Sequence, residues 1–286
     1  MKNKSLITLS LCLILCLLFG CKPKQTESDC KTFTFSFITI GKGDCFVLQT
    51  PKGGNYLVDT GKTEDFFQIA GLLKLKNISN LDGIFLTHGH KDHAGGLDKL
   101  MSEFSTKAIY LSATDTVTYK EIDPQKIAKK HGADVCNLTC GQVLDLGGVT
   151  AEVWLPAEPD TKEPNNNSVI LRITHKNKIF LLMGDAELEE EAEFISSQTN
   201  LKADLLKLGH HGEKDSTSKE FLEKVKPQYG IITGNITENP ASVNEKISGY
   251  LKEYNLEYFY SECEGAAIDF ISDGEQISVK TINTVN

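Results

Sequence analysis

FLTHGHKDHAGG, residues 85–96, puts three of the chain's seven histidines and one aspartate within six positions. The apolar run GIFLT (83–87) leads into it, so the segment reads as a buried strand that ends on the cluster. On such a strand His88 and His90 share one face and point past its end. The chain then turns, and Asp92 and His93 lead into a helix over AGGLDKLMSEF (94–104). Two ligand pairs therefore stand on either side of a small gap. Neutral imidazoles with a carboxylate are the donors that divalent transition metals prefer, zinc above all. A lone HxH is weak evidence. The full HxHxDH after a buried strand and before Gly95 and Gly96 is specific, and its alternative is a solvated polar turn.

Outward from this stretch the chain alternates runs of strands with helices. FTFSFITI, CFVLQT and NYLVDTG read as strands joined by tight turns. EDFFQIAGLLKLK (64–76) has helical apolar spacing, with Thr63 as its N-cap. DPQKIAKKHG (123–132) is a helix capped by Asp123, with Pro124 first and Gly132 past its end. VTAEVWLP, SVILRITH and KIFLLMGD follow as strands, then the acidic helix AELEEEAEFISSQ and the strand ADLLKLGHH. A helix opened by the STS cap (216–218), a strand, a helix and three strands close the chain. This order predicts an α+β fold of two mixed β-sheets flanked by helices, in one domain.

The leader is separate from that fold. MKNKSLITLSLCLILCLLFGC has a basic start and an apolar core too short for a comfortable membrane span. Its end, Leu18 to Cys21, resembles a bacterial lipobox. The resemblance implies a lipoprotein signal peptide over 1–20, cleavage before Cys21 and lipid on its sulfur. Residues 21–31 would be a polar tether and 32–286 the folded domain. The alternative is an ordinary signal with a chance cysteine. Removal of the signal takes two lysines and no acid, moving the net charge from −9 to −11. A tight, sequence-blind nucleic-acid binder is usually basic, and Arg172 is the single arginine. Phosphate would have to be met by lysines or a metal. Outside the leader and Cys21, five cysteines remain, at 30, 45, 136, 140 and 263. On one extended strand Cys136 and Cys140 would stand about 13 Å apart, beyond disulfide reach, so they read as small buried residues.

H-x-H-x-D-H-x-G-G resembles the motif of the metallo-β-lactamase-fold hydrolases. The likeness narrows through GKGD (41–44), YLVDTG (56–61), NNNS (165–168), GDAE (184–187), HHG followed by STS, and EGAAIDFISDG (264–274). Together these are similar to the hydrolase domain of ComEC-type competence proteins, over about residues 33–280. The resemblance implies a four-layer αββα sandwich. It implies His88 and His90 on a first metal, Asp92 and His93 on a second, Asp185 bridging them, and His210 closing the second site. Asp59 would orient a ligand imidazole. The family's usual histidine between the cluster and Asp185 is missing, since His131 lies in a helix and His175 at a hairpin. Asn166 or Asn167 stands in its place, as a ligand or as a group that holds substrate, with Asn167 the catalytic candidate. His211 is expected as a general acid or phosphate donor, with a structural histidine as its alternative. The GKGD turn either walls the groove or only needs glycine at positive φ.

Two divalent ions, zinc with manganese as the alternative, would activate a hydroxide that Asp92 orients, and would stabilise an in-line displacement. The expected function is an exported, lipid-anchored phosphodiesterase or nuclease at the cell envelope. Its substrates would be extracellular DNA or a phosphorylated envelope polymer, with the membrane met through lipid. No feature designates a protein partner. Two other readings stand beside it: a lactam, lactone or thioester hydrolase on the same fold, and a non-catalytic surface lipoprotein that binds DNA.

Overall fold

A computed structural model describes residues 32–115, 117–119, 121–235, 237, 244–262 and 265–283. The leader, the lipidation position Cys21, the tether, Cys30 and Cys263 lie outside the described residues. Two large sheets dominate. The first has eight strands in the order β17 (Ile277–Ile282), β16 (Ala267–Ser272), β1 (Phe33–Ile38), β2 (Phe46–Gln49), β3 (Asn55–Val58), β5 (Gly83–Phe85), β7 (Ala108–Ser112) and β8 (Asp134–Leu138). Its pairing is antiparallel from β17 to β3 and parallel from β3 to β8. The second runs β15 (Glu257–Tyr260), β14 (Tyr229–Ile232), β13 (Leu205–Lys207), β12 (Lys178–Leu182), β11 (Ile170–His175), β10 (Thr150–Trp154) and β9 (Val143–Asp145). It is parallel from β15 to β12 and antiparallel onward. Two short strands, β4 (Asn80–Leu81) and β6 (Ser105–Thr106), pair on their own.

Alternation along the strands divides the apolar residues into three layers of core. Between the sheets, Phe33, Phe35, Phe37 and Phe46 meet Leu171, Ile173, Phe180 and Leu182. Outside the first sheet, Val47, Leu57 and Ile84 pack under α1 (Phe66–Leu75), α3 (Leu97–Glu103) and α4 (Pro124–His131). Outside the second, Leu181, Leu206 and Ile232 pack under α5 (Leu188–Ser197), α6 (Lys219–Val225) and α7 (Glu245–Glu253). The remaining helix, α2 (Lys91–Ala94), is one turn in the HxHxDH stretch. These layers form the αββα sandwich. Among the described residues, no helix is long and apolar enough to cross a membrane.

Asp123 caps α4 by accepting from the Lys126 amide, and Gly132 ends it in a left-handed conformation. Thr63 does not cap α1. A 3-10 turn over Thr63–Asp65 precedes the helix, Asp65 accepts from the Lys62 amide, and the Thr63 hydroxyl donates to the Gly95 carbonyl. The expectation that Cys136 and Cys140 are buried is corrected. Cys136 is half-buried because β8 is the edge strand of its sheet, and Cys140 is exposed in the turn after β8; both are free thiols. Cys45 is the buried one. The strand expected over ADLLKLGHH stops at Lys207, and His210 to Gly212 form a tight turn.

Candidate metal centre

Both sheets deliver residues to one spot from the C-terminal ends of their parallel strands. Strand β5 ends at Phe85, and the loop that follows brings in His88 and His90. The Gly89 amide donates to the Thr118 hydroxyl at 2.6 Å, and Thr118 is held in turn by Asp115. A Cβ at Gly89 would press on Thr118 and Tyr119, so only glycine allows this approach. His88 Nε2 lies 3.1 Å from His90 Nδ1 and 3.9 Å from Asp185 Oδ2. One turn on, His93 Nε2 lies 3.0 Å from the same Asp185 oxygen. Its other nitrogen, Nδ1, donates to Asp59 Oδ2 at 2.8 Å. Asp59 also accepts from the Thr87 amide and hydroxyl. A buried carboxylate therefore fixes the ring and aims Nε2 into the centre.

The two late histidines exchange the places expected of them. His211, not His210, faces the centre. Its Nε2 lies 3.2 Å from Asp185 Oδ2 and 3.3 Å from Asp92 Oδ2. Its Nδ1 meets the Thr233 hydroxyl at 2.9 Å. His210 turns toward the mouth, with Nδ1 3.0 Å from Asp215 Oδ1 and 3.6 Å from Glu187 Oε1. The cause is local: both residues have positive φ, 37° and 51°, which replaces the two-residue alternation of a strand by a tight left-handed turn.

The asparagines are also redistributed. Asn167, the catalytic candidate, is buried and fully engaged. Its amide donates to the Asp160 and Pro164 carbonyls, and its oxygen accepts from the Asp160 amide. Asn166 accepts from the Glu187 amide. Asn167 holds the 160–168 loop together, and Asn166 ties that loop to the start of α5 at Glu187. Asn165 faces the mouth instead: its Nδ2 donates to Glu187 Oε1 at 2.8 Å and lies 3.3 Å from His210 Nε2, while its buried Oδ1 has no hydrogen bond. A 3-10 turn over Pro164–Asn167 produces this distribution. His131 bonds Asp98 and His175 bonds Ser272, both away from the centre.

Sequence reasoning gave the GKGD turn only as a wall of the groove and missed Lys207. Asp44 of the GKGD turn and Lys207 of β13 are buried beside the histidines, with Lys207 Nζ 2.6 Å from Asp44 Oδ2. The available signal was a lysine in the apolar run LLKLG, since a charge on a buried strand needs a partner.

Burial, and then the charge of His93, hold His88 well below the ordinary histidine range. Burial would also lower His93, but the carboxylates of Asp185, Asp44 and Asp59 outweigh it and hold it well above that range. Asp185 stays far below the usual carboxylate range. Its burial is overcome by His211, His93 and Lys207. Burial opposes Lys207 in the same way, and Asp44 with Asp185 keeps it charged.

This donor set suits a divalent ion. Ligand atoms of Asp44, His93, Asp185 and His211 all lie within 4.8 Å of one another. The Nε2 of fully buried His211 is aimed between two carboxylates without the alignment of a hydrogen bond, as a nitrogen meant for a metal would be. Of the nearby carboxylates Asp92 is the accessible one, its side chain 23% exposed against 3% for Asp185. Two cavities of about 390 Å³ each open beside it and share Lys91, Asp92 and Glu121. The first continues to Gly89, Thr118 and Pro164, the second to Lys62, Thr63 and Ile122.

The metallo-beta-lactamase superfamily model matches residues 38–233. ComE operon protein 3 of Bacillus subtilis is 27% identical over 273 residues, covering 89% of this chain and 34% of its own length. Recombination protein 2 of Haemophilus influenzae is 27% identical, covering 71% of this chain and 24% of its own. The chain thus spans about a third of the first relative and about a quarter of the second. Among solved structures, the metallo-beta-lactamase fold protein YhfI of Bacillus subtilis aligns with a TM-score of 0.56 at 15% identity. That alignment covers 84% of this chain and 99% of YhfI.

Proposed function

The chain belongs to the metallo-beta-lactamase superfamily, and from that premise, with its similarity to ComE operon protein 3, we propose that it hydrolyses phosphodiesters, with DNA outside the cell as its substrate. We place it at the cell envelope, exported and held by lipid on Cys21. One observation carries the chemistry. Three imidazoles of His88, His93 and His211 converge on a single oxygen of Asp185, beside the accessible carboxylate of Asp92.

His88, His90, Asp92, His93, Asp185 and His211 would hold two divalent ions, zinc or manganese. Bound there, the ions supply Lewis acidity, which makes water acidic enough to attack at neutral pH and draws charge from a phosphoryl oxygen. The rest falls to the chain. Asp92 is placed to orient the attacking water, because it alone among these carboxylates reaches open space. Asp59 keeps His93 in one tautomer and orientation. His210 stands outside the ligand group, with Asp215 on Nδ1, so its Nε2 is the group that would protonate the leaving oxygen. The Asn165 amide, 3.3 Å from that nitrogen, would steady the same oxygen. Lys62 and Lys91 border the cavities and would meet neighbouring phosphates.

The test uses the full-length chain in detergent. Bound metal is measured, and bis-aryl phosphodiester, single-stranded DNA, double-stranded DNA and nitrocefin are assayed. Phosphodiester turnover that Asp92→Ala or Asp185→Ala abolishes without unfolding is the expected result. Turnover of nitrocefin alone would overturn the reading. Equal inertness of wild type and variants, with DNA bound, would make the protein a receptor.

A further inference from the structure

We propose that Lys207 is a built-in counter-ion of the metal centre, which keeps the centre assembled without a metal and lowers its affinity for one. The proposal rests on the metal-centre reading above and concerns a residue that reading leaves without a role.

Lys207 ends β13, between β12 and β14, and has no exposed surface. It is the only lysine among the described residues so placed. Its Nζ donates to the Gly184 carbonyl at 2.6 Å and lies 2.6 Å from Asp44 Oδ2 and 3.4 Å from Asp185 Oδ1. Asp185 is thereby divided. Oδ1 faces the ammonium, and Oδ2 faces His93, His211 and His88. Asp44 is fixed through its backbone, its amide donating to the Asp92 carbonyl and its carbonyl accepting from Gly61. Its Oδ2 lies 2.6 Å from Lys207, and its nearest histidine nitrogens are the Nδ1 atoms of His211 and His93, at 3.6 Å and 3.9 Å, which face away from the Asp185 oxygen. Lys207 is thus its nearest charged partner, and the double variant below separates that pairing from a ligand role.

Asp44, Asp59 and Asp185 are all buried here, and Asp92 stands beside them. Such a group is prohibitive without compensating positive charge. Lys207 supplies part of that charge permanently. A fixed ammonium so close to Asp185 also repels an arriving cation. Removing it should do two opposite things: weaken the metal-free fold and strengthen metal binding.

The experiment compares wild type, Lys207→Met, Asp44→Asn and the double variant as full-length chains in detergent. Each is stripped by chelator, and its melting temperature is read with and without Mn2+. The Kd for Mn2+ is then measured by competition with a chromophoric chelator, and Zn2+ is run in parallel. Lys207→Met should melt lower than wild type when stripped, yet bind Mn2+ about tenfold or more tightly, because a nearby like charge is gone. Asp44→Asn leaves the ammonium uncompensated and should bind about tenfold or more weakly. The double variant should return close to wild type.

An unchanged or weaker Kd in Lys207→Met overturns the proposal. So does a double variant as weak as Asp44→Asn, which would make Asp44 a ligand. If Lys207→Met folds only with metal, the comparison of Asp44→Asn with the double variant still decides. Wild type that binds neither ion refutes the metal-centre reading itself, which is a different failure.

Discussion

Exchange of His210 and His211 gives the sharpest test of the centre. The structure puts His211 Nε2 between Asp185 and Asp92 with no surface exposed. It puts His210 at the mouth, 16% exposed, with Asp215 on Nδ1. Alanine at the two positions should therefore fail differently. His211→Ala should lose bound metal, and with it turnover of every substrate. His210→Ala should keep its metal and lose only proton donation. General acid catalysis contributes about 10²- to 10⁴-fold, or about 3–5 kcal/mol of barrier, but only where the leaving group needs a proton. A sugar alkoxide leaving from DNA needs one, whereas a nitrophenolate does not. His210→Ala should thus drop kcat on an oligonucleotide by about 10²-fold or more, and on bis-(4-nitrophenyl) phosphate by less than about tenfold. Asp215 is 38% exposed and only orients the ring, so Asp215→Asn should cost about tenfold on the oligonucleotide. Metal content by elemental analysis and kcat on both substrates decide the matter. Loss of metal in His210→Ala, or equal loss of kcat on both substrates, would refute the assignment.

Asp59→Ala removes the partner of His93 Nδ1 and should weaken metal affinity by about 10- to 100-fold, read by the same chelator competition. Phe180 is fully buried between the sheets against Phe33 and Phe35, so Phe180→Ala should cost about 3–5 kcal/mol in denaturant unfolding. Glu190 is buried on α5 without a well-formed hydrogen bond. Burial, joined by the charges of Glu193, Glu187 and Asp185, holds its carboxyl well above the ordinary 4.5. The folded state then binds the proton more tightly than the unfolded one, so wild type loses stability as pH rises from near 4.5 toward the folded value. Glu190→Gln should melt higher than wild type at neutral pH, with the gap closing below pH 4.5. A gap that widens in acid would show the sign to be wrong.

The sequence by itself determined what is local. GIFLT followed by HxHxDH sets a strand end and a one-turn helix against each other. Ligands separated by one to five residues need only that turn to converge, and α2 with the His88–His90 and His88–His93 ring contacts shows the convergence. The runs of strands with helices between them likewise carried the two mixed sheets flanked by helices, and the four αββα layers came from the family resemblance. Choices between neighbours were left to the tertiary structure. Whether His210 or His211 faces Asp185 depends on two consecutive positive φ angles. Which asparagine of NNNS reaches His210 depends on a 3-10 turn in which Asn167 holds its own loop and Asn166 accepts from the Glu187 amide. Neither outcome follows from residue type, since the competing side chains are chemically identical. The Asp44–Lys207 pair joins residues far apart in sequence, brought together because the loop before β2 of one sheet meets the end of β13 in the other. Only the packing of two sheets makes that pair, and the same packing decides how much charge the metal itself must balance.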